Sequence, residues 1–307
     1  YAGGRAMVTT SGGGFALMTE GVSLAGIVES PMVIHIAQRP GPGTGLPTRT
    51  EQGDLDLALC AGHGEFPRAI LAPGTLEDAV LCAALAFDMA DAAQTPVFIL
   101  TDQYLLDSYY DVAELPLPKK PPASHIVETA ADYMRYSYCE DGVSPRGVPG
   151  FGQGIVRSDS DEHDEEGVIT EDADVRIAMM DKRLGKFARL GGEHALPPRL
   201  YGAEEYSRLI VGWGSTCDTV IEALAQVDDG QTAFLYCPQV FPVPDQVADL
   251  IDKAEELVFI ENNATGQFAR LIHRETGLAA DEHWLKYDGL PFSVEDVVAL
   301  VNGEALI

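Results

Sequence analysis

PMVIHIAQRPGPGTGLPTRTEQGDL (31–55) carries the decisive change of character in this chain. Its first seven residues, PMVIHIA (31–37), are almost wholly apolar, the pattern of a strand buried on both faces. The next eighteen, QRPGPGTGLPTRTEQGDL (38–55), hold three prolines and four glycines. No helix survives that density of breakers, and no strand continues through it. The chain therefore leaves a buried strand and makes a long, stiffened loop, on which Arg39, Arg49, Glu51 and Asp54 sit.

The same alternation extends outward on both sides. AMVTT (6–10) reads as a strand, SGGG (11–14) as a turn and FALMTEGVSLAG (15–26) as a helix. LEDAVLCAALAFDMADAA (76–93) has helical spacing, with Val80, Leu81, Ala84, Leu85 and Phe87 expected on the inner face and Asp88 and Asp91 on the outer. TPVFILTD (95–102) is a further apolar strand. Continuous apolar strands alternating with helices indicate α/β architecture with parallel, doubly wound sheets. The pattern returns after residue 201. RLIVGW (208–213), TAFLYC (232–237) and LVFIENN (257–263) read as strands. CDTVIEALAQ (217–226), PDQVADLIDKAEE (244–256), GQFARLIHRETG (266–277) and SVEDVVALVNG (293–303) read as helices, the third stopped by Gly277.

The middle differs. LPLPKKPP (115–122) is extended by its prolines, and SPRGVPGFGQG (144–154) cannot be regular. SDSDEHDEEG (158–167) packs six acids into ten residues and reads as a solvated acidic loop with His163 exposed. Only DADVRIAMMDKRLGKFARL (172–190) looks helical. Three regions follow: a domain at 1–112, a connecting segment at 113–200 and a second domain at 201–307.

Composition narrows the function. The 307 residues carry 48 acids against 20 bases, a net charge of −28. Nucleic acid is excluded as a partner, because nothing supplies a cationic footprint. Only six bases are lysines, and an acid-rich, lysine-poor surface suits high salt. A halophilic source and an ordinary acidic cytosolic protein are both compatible with it. No apolar run approaches the roughly 20 residues that span a bilayer. YAGGRAMVTTSGGG (1–14) lacks a signal-peptide pattern and an initiator Met, as expected of a chain that begins inside a longer protein. Five cysteines (60, 82, 139, 217, 237) form no C-x-x-C pair, which points away from disulfides, zinc and iron–sulfur clusters. Cys82 and Cys217 read as small apolar residues. A reducing, cytoplasmic compartment fits.

Several stretches invite chemistry. SGGG (11–14) and GWGST (212–216) each join a strand to a helix, the setting of an anion site or of a plain tight turn. GWGST has Cys217 where the third glycine of a dinucleotide fingerprint belongs. DDG (228–230) with ENN (261–263) fails as a diphosphate–magnesium motif, since Asp228 replaces its first glycine. The acidic run lacks EF-hand spacing, and no Ser–His–Asp signature appears. The loop remains. Ligands of open α/β sheets bind beyond the carboxyl ends of the strands, where Arg39 falls. A guanidinium forks onto a carboxylate, and Thr48 adds a hydroxyl. Arg39 either grips a ligand there or pairs with Glu51 or Asp54 and pins the loop.

The chain resembles the α subunit of 2-oxoacid:ferredoxin oxidoreductases, particularly the 2-oxoglutarate type. The resemblance is carried by TTSGGGFALMTEGVSLAG (9–26), QRPGPGTGLPTRTEQGDL (38–55), HGEFPRAILAPG (63–74), CEDGVSPRGVPG (139–150), DSDEHDEEGVITED (159–172), VGWGST (211–216), ENNATGQFARLI (261–272) and GLPFSVEDV (289–297). It implies a thiamine diphosphate enzyme that oxidatively decarboxylates a 2-oxoacid to an acyl-CoA, with coenzyme A as co-substrate and electrons passing to ferredoxin. It implies a transketolase-like pyrimidine-binding domain, here N-terminally truncated, followed by a transketolase C-terminal-like domain. A β subunit would hold the diphosphate–Mg²⁺ site and an iron–sulfur cluster, leaving this chain inactive alone and without a metal. By the same resemblance Arg39 binds the substrate carboxylate, Thr48 lies beside it, and Ser11 and Gly12 lie near the thiamine. Gly13 stands where the family usually has proline. A Tyr-Pro-Ile-Thr-Pro segment and the glutamate that protonates the cofactor's pyrimidine would precede residue 1. The rival readings are a thiamine enzyme using NAD or lipoamide, and a non-catalytic scaffolding or regulatory subunit.

Overall fold

The computed structural model describes residues 1–118, 123–192 and 195–305. Its first body runs β1 (Met7–Thr10), α1 (Gly12–Ala16), α2 (Thr19–Ile27), β2 (Met32–Gln38), α3 (Leu55–Cys60), β3 (Ala69–Leu71), α4 (Leu76–Ala93), β4 (Pro96–Asp102) and α5 (Gln103–Asp107). The strands lie in the order β1-β2-β4-β3, all parallel. The connecting segment supplies α6 (Ala173–Gly185) and α7 (Phe187–Gly191). The second body runs β5 (Arg199–Gly202), β6 (Arg208–Gly212), α8 (Thr216–Val227), β7 (Thr232–Tyr236), β8 (Gln239–Phe241), α9 (Asp245–Ile251), β9 (Glu256–Glu261), α10 (Gln267–Thr276), β10 (Glu282–Leu285) and α11 (Val294–Val301). Its sheet is β10-β9-β6-β7-β5, parallel except for β5. The eighth strand leaves that body and pairs antiparallel with β3 of the first sheet.

Alternation along the strands builds three apolar layers. Ile34 and Ile36 of β2, Phe98 and Leu100 of β4, and Leu209 and Val211 of β6 share one continuous core between the sheets. Val33, Val97 and Ile99 point the other way, onto Cys82, Ala86 and Met89 of α4. Ile210, Val258 and Ile260 pack against Val220 of α8 and Val297 of α11. The central strands of both sheets are therefore covered on both faces, as their continuous apolar character requires, whereas the edge strand β1 leaves Met7 and Val8 exposed.

The helix at 76–93 falls where expected, with its first turn capped by the Thr75 side chain, which accepts from Asp78 N at 3.1 Å. Its buried face is not the expected one. Cys82, Ala86, Met89, Ala90 and Ala93 face the sheet, while Leu81 is exposed. Asp91 is buried, paired with Arg146 at 2.9 Å and Arg5 at 2.7 Å. With apolar residues around most of its circumference, this helix takes its facing from close packing by small side chains rather than from hydrophobicity alone.

The connecting segment is mostly irregular, joined by isolated bridges such as Ile126 to Arg146. Its helix breaks at Lys186 into α6 and α7. Residues 119–122 of the proline-rich stretch lie outside the described residues. Glu29, at the end of α2, is fully buried between Lys182 at 2.6 Å and Lys186. These pairs fasten α6 and α7 to the first body. The acidic run is not a freely solvated loop either. His163 is completely buried against Tyr136, with ring centroids 4.0 Å apart, and Glu162 pairs with Arg183 at 2.7 Å and with Arg176. The basic residues of α6 balance part of the run, so it folds back rather than spreading into water. Cys82 and Cys217 are buried, and burial pushes the Cys82 thiol up to about 12.

Candidate functional site at the carboxyl edge of the first sheet

Parallel strands present their carboxyl ends along one edge. Ser11 follows β1, Arg39 follows β2, and Asp102 closes β4. The loop between Arg39 and α3 begins and ends at this edge. Gln38 fixes both ends, its Nε2 donating to Thr101 O at 3.2 Å and its Oε1 accepting from Asp54 N at 3.0 Å. In between, Leu46 N donates to Pro40 O at 3.1 Å, which folds the crest back on itself. Gly45 has φ +54°, and a Cβ there would stand 1.8 Å from Pro40 O, so only glycine fits that fold-back. Residues 41–49 are exposed, Thr48 among them.

The returning half of the loop is sewn to the second body. Thr50 N donates to Gly289 O at 3.1 Å, and Gln52 N to Asn262 O at 2.7 Å. Gln52 Nε2 donates to Trp213 O at 2.7 Å, and its Oε1 accepts from Asn262 N at 2.9 Å. Asn263 Nδ2 donates to Gln52 O at 3.2 Å, and Gln267 Nε2 to Gly53 O at 2.9 Å. The Ser215 hydroxyl donates to Asp102. GWGST and ENN, weighed from sequence as nucleotide or diphosphate turns, thus direct polar groups at the loop. Glu261 backs this clasp from below. It is fully buried and accepts from Phe268 N, Ala269 N and Asn263 Nδ2, and burial raises its pKa. Gln52 and Gln267 have no signal in the sequence beyond falling inside the stretches that carry the resemblance, whereas Asn262 and Asn263 belong to the ENN stretch that fails as a diphosphate–magnesium motif.

Beyond Ser11 the structure departs from the expected turn. Phe15 N donates to Ser11 O at 2.8 Å, so residues 12–14 are already the first turn of α1, and the helix breaks at Leu17–Met18 before α2. Gly12 is buried beneath the loop. A Cβ at that position would stand 2.4 Å from both carboxylate oxygens of Asp54. Asp54 precedes α3 at its N-cap position, yet its side chain makes no capping bond. It lies over Gly12 instead.

Two opposite charges share this edge without pairing. Arg39 is half-buried, and among the described residues it has no ion pair within 4.0 Å to Glu51, Asp54 or any other acid. Burial holds the Asp54 carboxyl up at about 6, against the pull of Arg39's charge. Burial and the neighbouring Asp54 raise Glu51 as well. The structure therefore brings Ser11, Gly12 and Arg39 to one edge, roofed by Asp54, and leaves Thr48 on the open crest. Among the described residues, no group of three His, Cys, Asp or Glu side chains converges as a metal site.

This architecture is that of an α/β protein whose arginine-bearing loop is clasped between two parallel-rich sheets. Residues 1–182 match the sequence profile of the pyruvate flavodoxin/ferredoxin oxidoreductase, thiamine diP-binding family, and the chain belongs to that family. It is 38% identical to the α subunit of 2-oxoacid:ferredoxin oxidoreductase 2 of Aeropyrum pernix, over 98% of this chain and 48% of that protein. It is 29% identical to 2-oxoglutarate synthase subunit KorA of Archaeoglobus fulgidus, over 99% of this chain and 80% of that one. A solved structure, 2-oxoglutarate:ferredoxin oxidoreductase from Magnetococcus marinus with 2-oxoglutarate, coenzyme A and succinyl-CoA bound, superposes with a TM-score of 0.89 at 30% identity, over 99% of this chain and 54% of that chain. The chain thus spans about half the length of the first curated relative.

Proposed function

We propose that this chain is the α-subunit portion of a thiamine diphosphate-dependent 2-oxoacid:ferredoxin oxidoreductase of the 2-oxoglutarate type, active with a β subunit and located in the cytoplasm. Residues 1–112 form the pyrimidine side of the cofactor site, and residues 201–307 buttress the loop. The observation that carries this reading is the Arg39 guanidinium at the carboxyl end of β2, which pairs with no acid among the described residues. A permanently charged fork on a pre-stiffened loop loses little entropy when it takes up a carboxylate. Thr48 adds a hydroxyl from the crest of the same loop.

The residues present fit one end of the cofactor. Ser11 and the exposed backbone at Gly13 leave room for a flat pyrimidine edge, and a Cβ at Gly13 would meet nothing closer than 4.0 Å. Among the described residues no carboxylate set converges as a Mg²⁺ site, and in this reading, which follows the family resemblance, the diphosphate, its metal and the iron–sulfur cluster belong to the partner. When bound, thiamine diphosphate supplies the carbanion chemistry of decarboxylation. This chain's residues hold the substrate carboxylate, orient the oxo group and shield the edge of the sheet. Coenzyme A and ferredoxin complete the reaction as co-substrate and acceptor, and the solved relative with bound 2-oxoglutarate and succinyl-CoA supports that choice. Arg39→Ala in the assembled complex is expected to lower kcat/KM for 2-oxoglutarate about thirtyfold or more, mostly through KM, as loss of a charge-assisted contact worth roughly 2–5 kcal/mol predicts. Wild-type kinetics in that variant would remove Arg39 from the site. Electron delivery to NAD instead of ferredoxin would favour the other class of thiamine enzyme.

A further inference from the structure

Asp54 is the unexplained group at this edge. An aspartate at an N-cap position ordinarily turns its carboxylate onto the first backbone N–H groups of its helix. Asp54 makes no such bond. Its carboxylate lies over Gly12, at the one position where the absence of a side chain makes room for it. Its backbone is tied to Gln38, the residue before Arg39. Among the described residues no hydrogen-bond donor reaches its oxygens and no ion pair forms with Arg39. A half-buried anion and a half-buried cation thus lie within range of each other's charge, and among the described residues neither side chain has a hydrogen-bond or ion-pair partner.

We propose that Asp54 is a positioning residue that sets how firmly Arg39 holds the substrate carboxylate. Ionised, Asp54 competes with the substrate for the guanidinium and repels the incoming carboxylate. Protonated, it leaves Arg39 to the substrate. The proposal rests on Arg39 being the carboxylate clamp. The charged groups that bear on Asp54 are Arg39, across the loop, and Glu51, three residues earlier. Asp56 is engaged elsewhere, by Arg270 of α10, and α1 brings no charge, only Ser11 and its glycines. Glu51 is itself raised by burial and by Asp54, so it adds to the negative field when ionised and does not reverse the sign.

Two readouts test this on the assembled complex. The first is KM for 2-oxoglutarate against pH. In the wild type KM rises as pH climbs through about 6, where Asp54 ionises. In Asp54→Asn that rise disappears and KM falls several-fold at neutral pH, a gain of affinity that structural damage does not produce. The second is thermal stability. A carboxyl raised from 3.8 to about 6 in the folded chain costs stability that builds up between those two pH values and is complete above 6. Asp54→Asn therefore melts higher than wild type at pH 8, by a margin that shrinks as pH falls through 6 and closes below about 3.8. The smaller neutral variant Asp54→Ser shows the same loss of pH dependence. If Asp54→Asn keeps the wild-type dependence of KM on pH, or raises KM at every pH, while Arg39→Ala still weakens binding, the competitor role is overturned and the clamp stands. If Arg39→Ala leaves KM unchanged, the clamp and the proposal fall together.

Discussion

A methyl group at position 12 would occupy the space that Asp54's carboxylate now fills. Gly12→Ala is therefore a test of the site more than of the fold. The short Asp54 side chain must swing or α1 must shift, and overpacking of this kind costs about 1–3 kcal/mol. The expected result is a melting temperature lowered by a few degrees, unchanged far-ultraviolet circular dichroism, and a KM for 2-oxoacid that rises more than kcat falls. Arg39 was legible as a candidate from sequence because prolines and glycines announce a stiff loop and an apolar run places it at a strand end. Its freedom from Glu51 and Asp54 was not legible. All three lie within one loop, and spacing alone permits either pairing. The same limit applied to His163, where the acids around it suggested water and the contact with Tyr136, twenty-seven residues earlier, put it inside.

Among the elements, α6 and α7 depend on one buried charge. Glu29 holds Lys182 and Lys186 where no water reaches, and the two ammonium groups keep its pKa down at about 2 despite burial. Glu29→Gln leaves two buried cations with a neutral partner, a loss of about 3–5 kcal/mol. Native-state proteolysis should then cut first in residues 173–192. The pH dependence follows from the direction of the shift. A carboxyl lowered from 4.5 to about 2 contributes its full stability above 4.5 and loses it as pH falls toward 2. The docking of these helices should loosen over that acid range in the wild type and lack this dependence in the Gln variant. Elements were readable where they are long and periodic. The central strands β2, β4, β6, β7 and β9 and the helices α8, α10 and α11 appear where the apolar spacing put them. The short strands β3, β5, β8 and β10 did not announce themselves, because three or four residues cannot display a period and their pairing partners are remote. The face of α4 misled for the opposite reason, an excess of apolar residues.

At the scale of the molecule the loop of the candidate site is held by both sheets. Gln52 alone bonds to Trp213 and Asn262, more than one hundred and fifty residues away in sequence. No local pattern could show that clasp. Gln52→Ala should leave the buried Asn262 N–H unpaired, at about 1–3 kcal/mol. Amides of residues 46–54 should then exchange with solvent faster, while those of β2 and β4 keep their protection. If loop and strands change together, the clasp is part of global stability rather than a local hold on the loop.

The eighth strand adds a constraint on how the chain is made. The first sheet ends on β3, whose open side is closed only by Gln239–Phe241. Everything else in that sheet leaves the ribosome more than one hundred and thirty residues earlier. Until then β3 offers a raw hydrogen-bonding edge, the kind that recruits neighbouring chains. The early half of the chain must wait for the late half, so this long-range closure slows folding, and separating the halves exposes a sticky border.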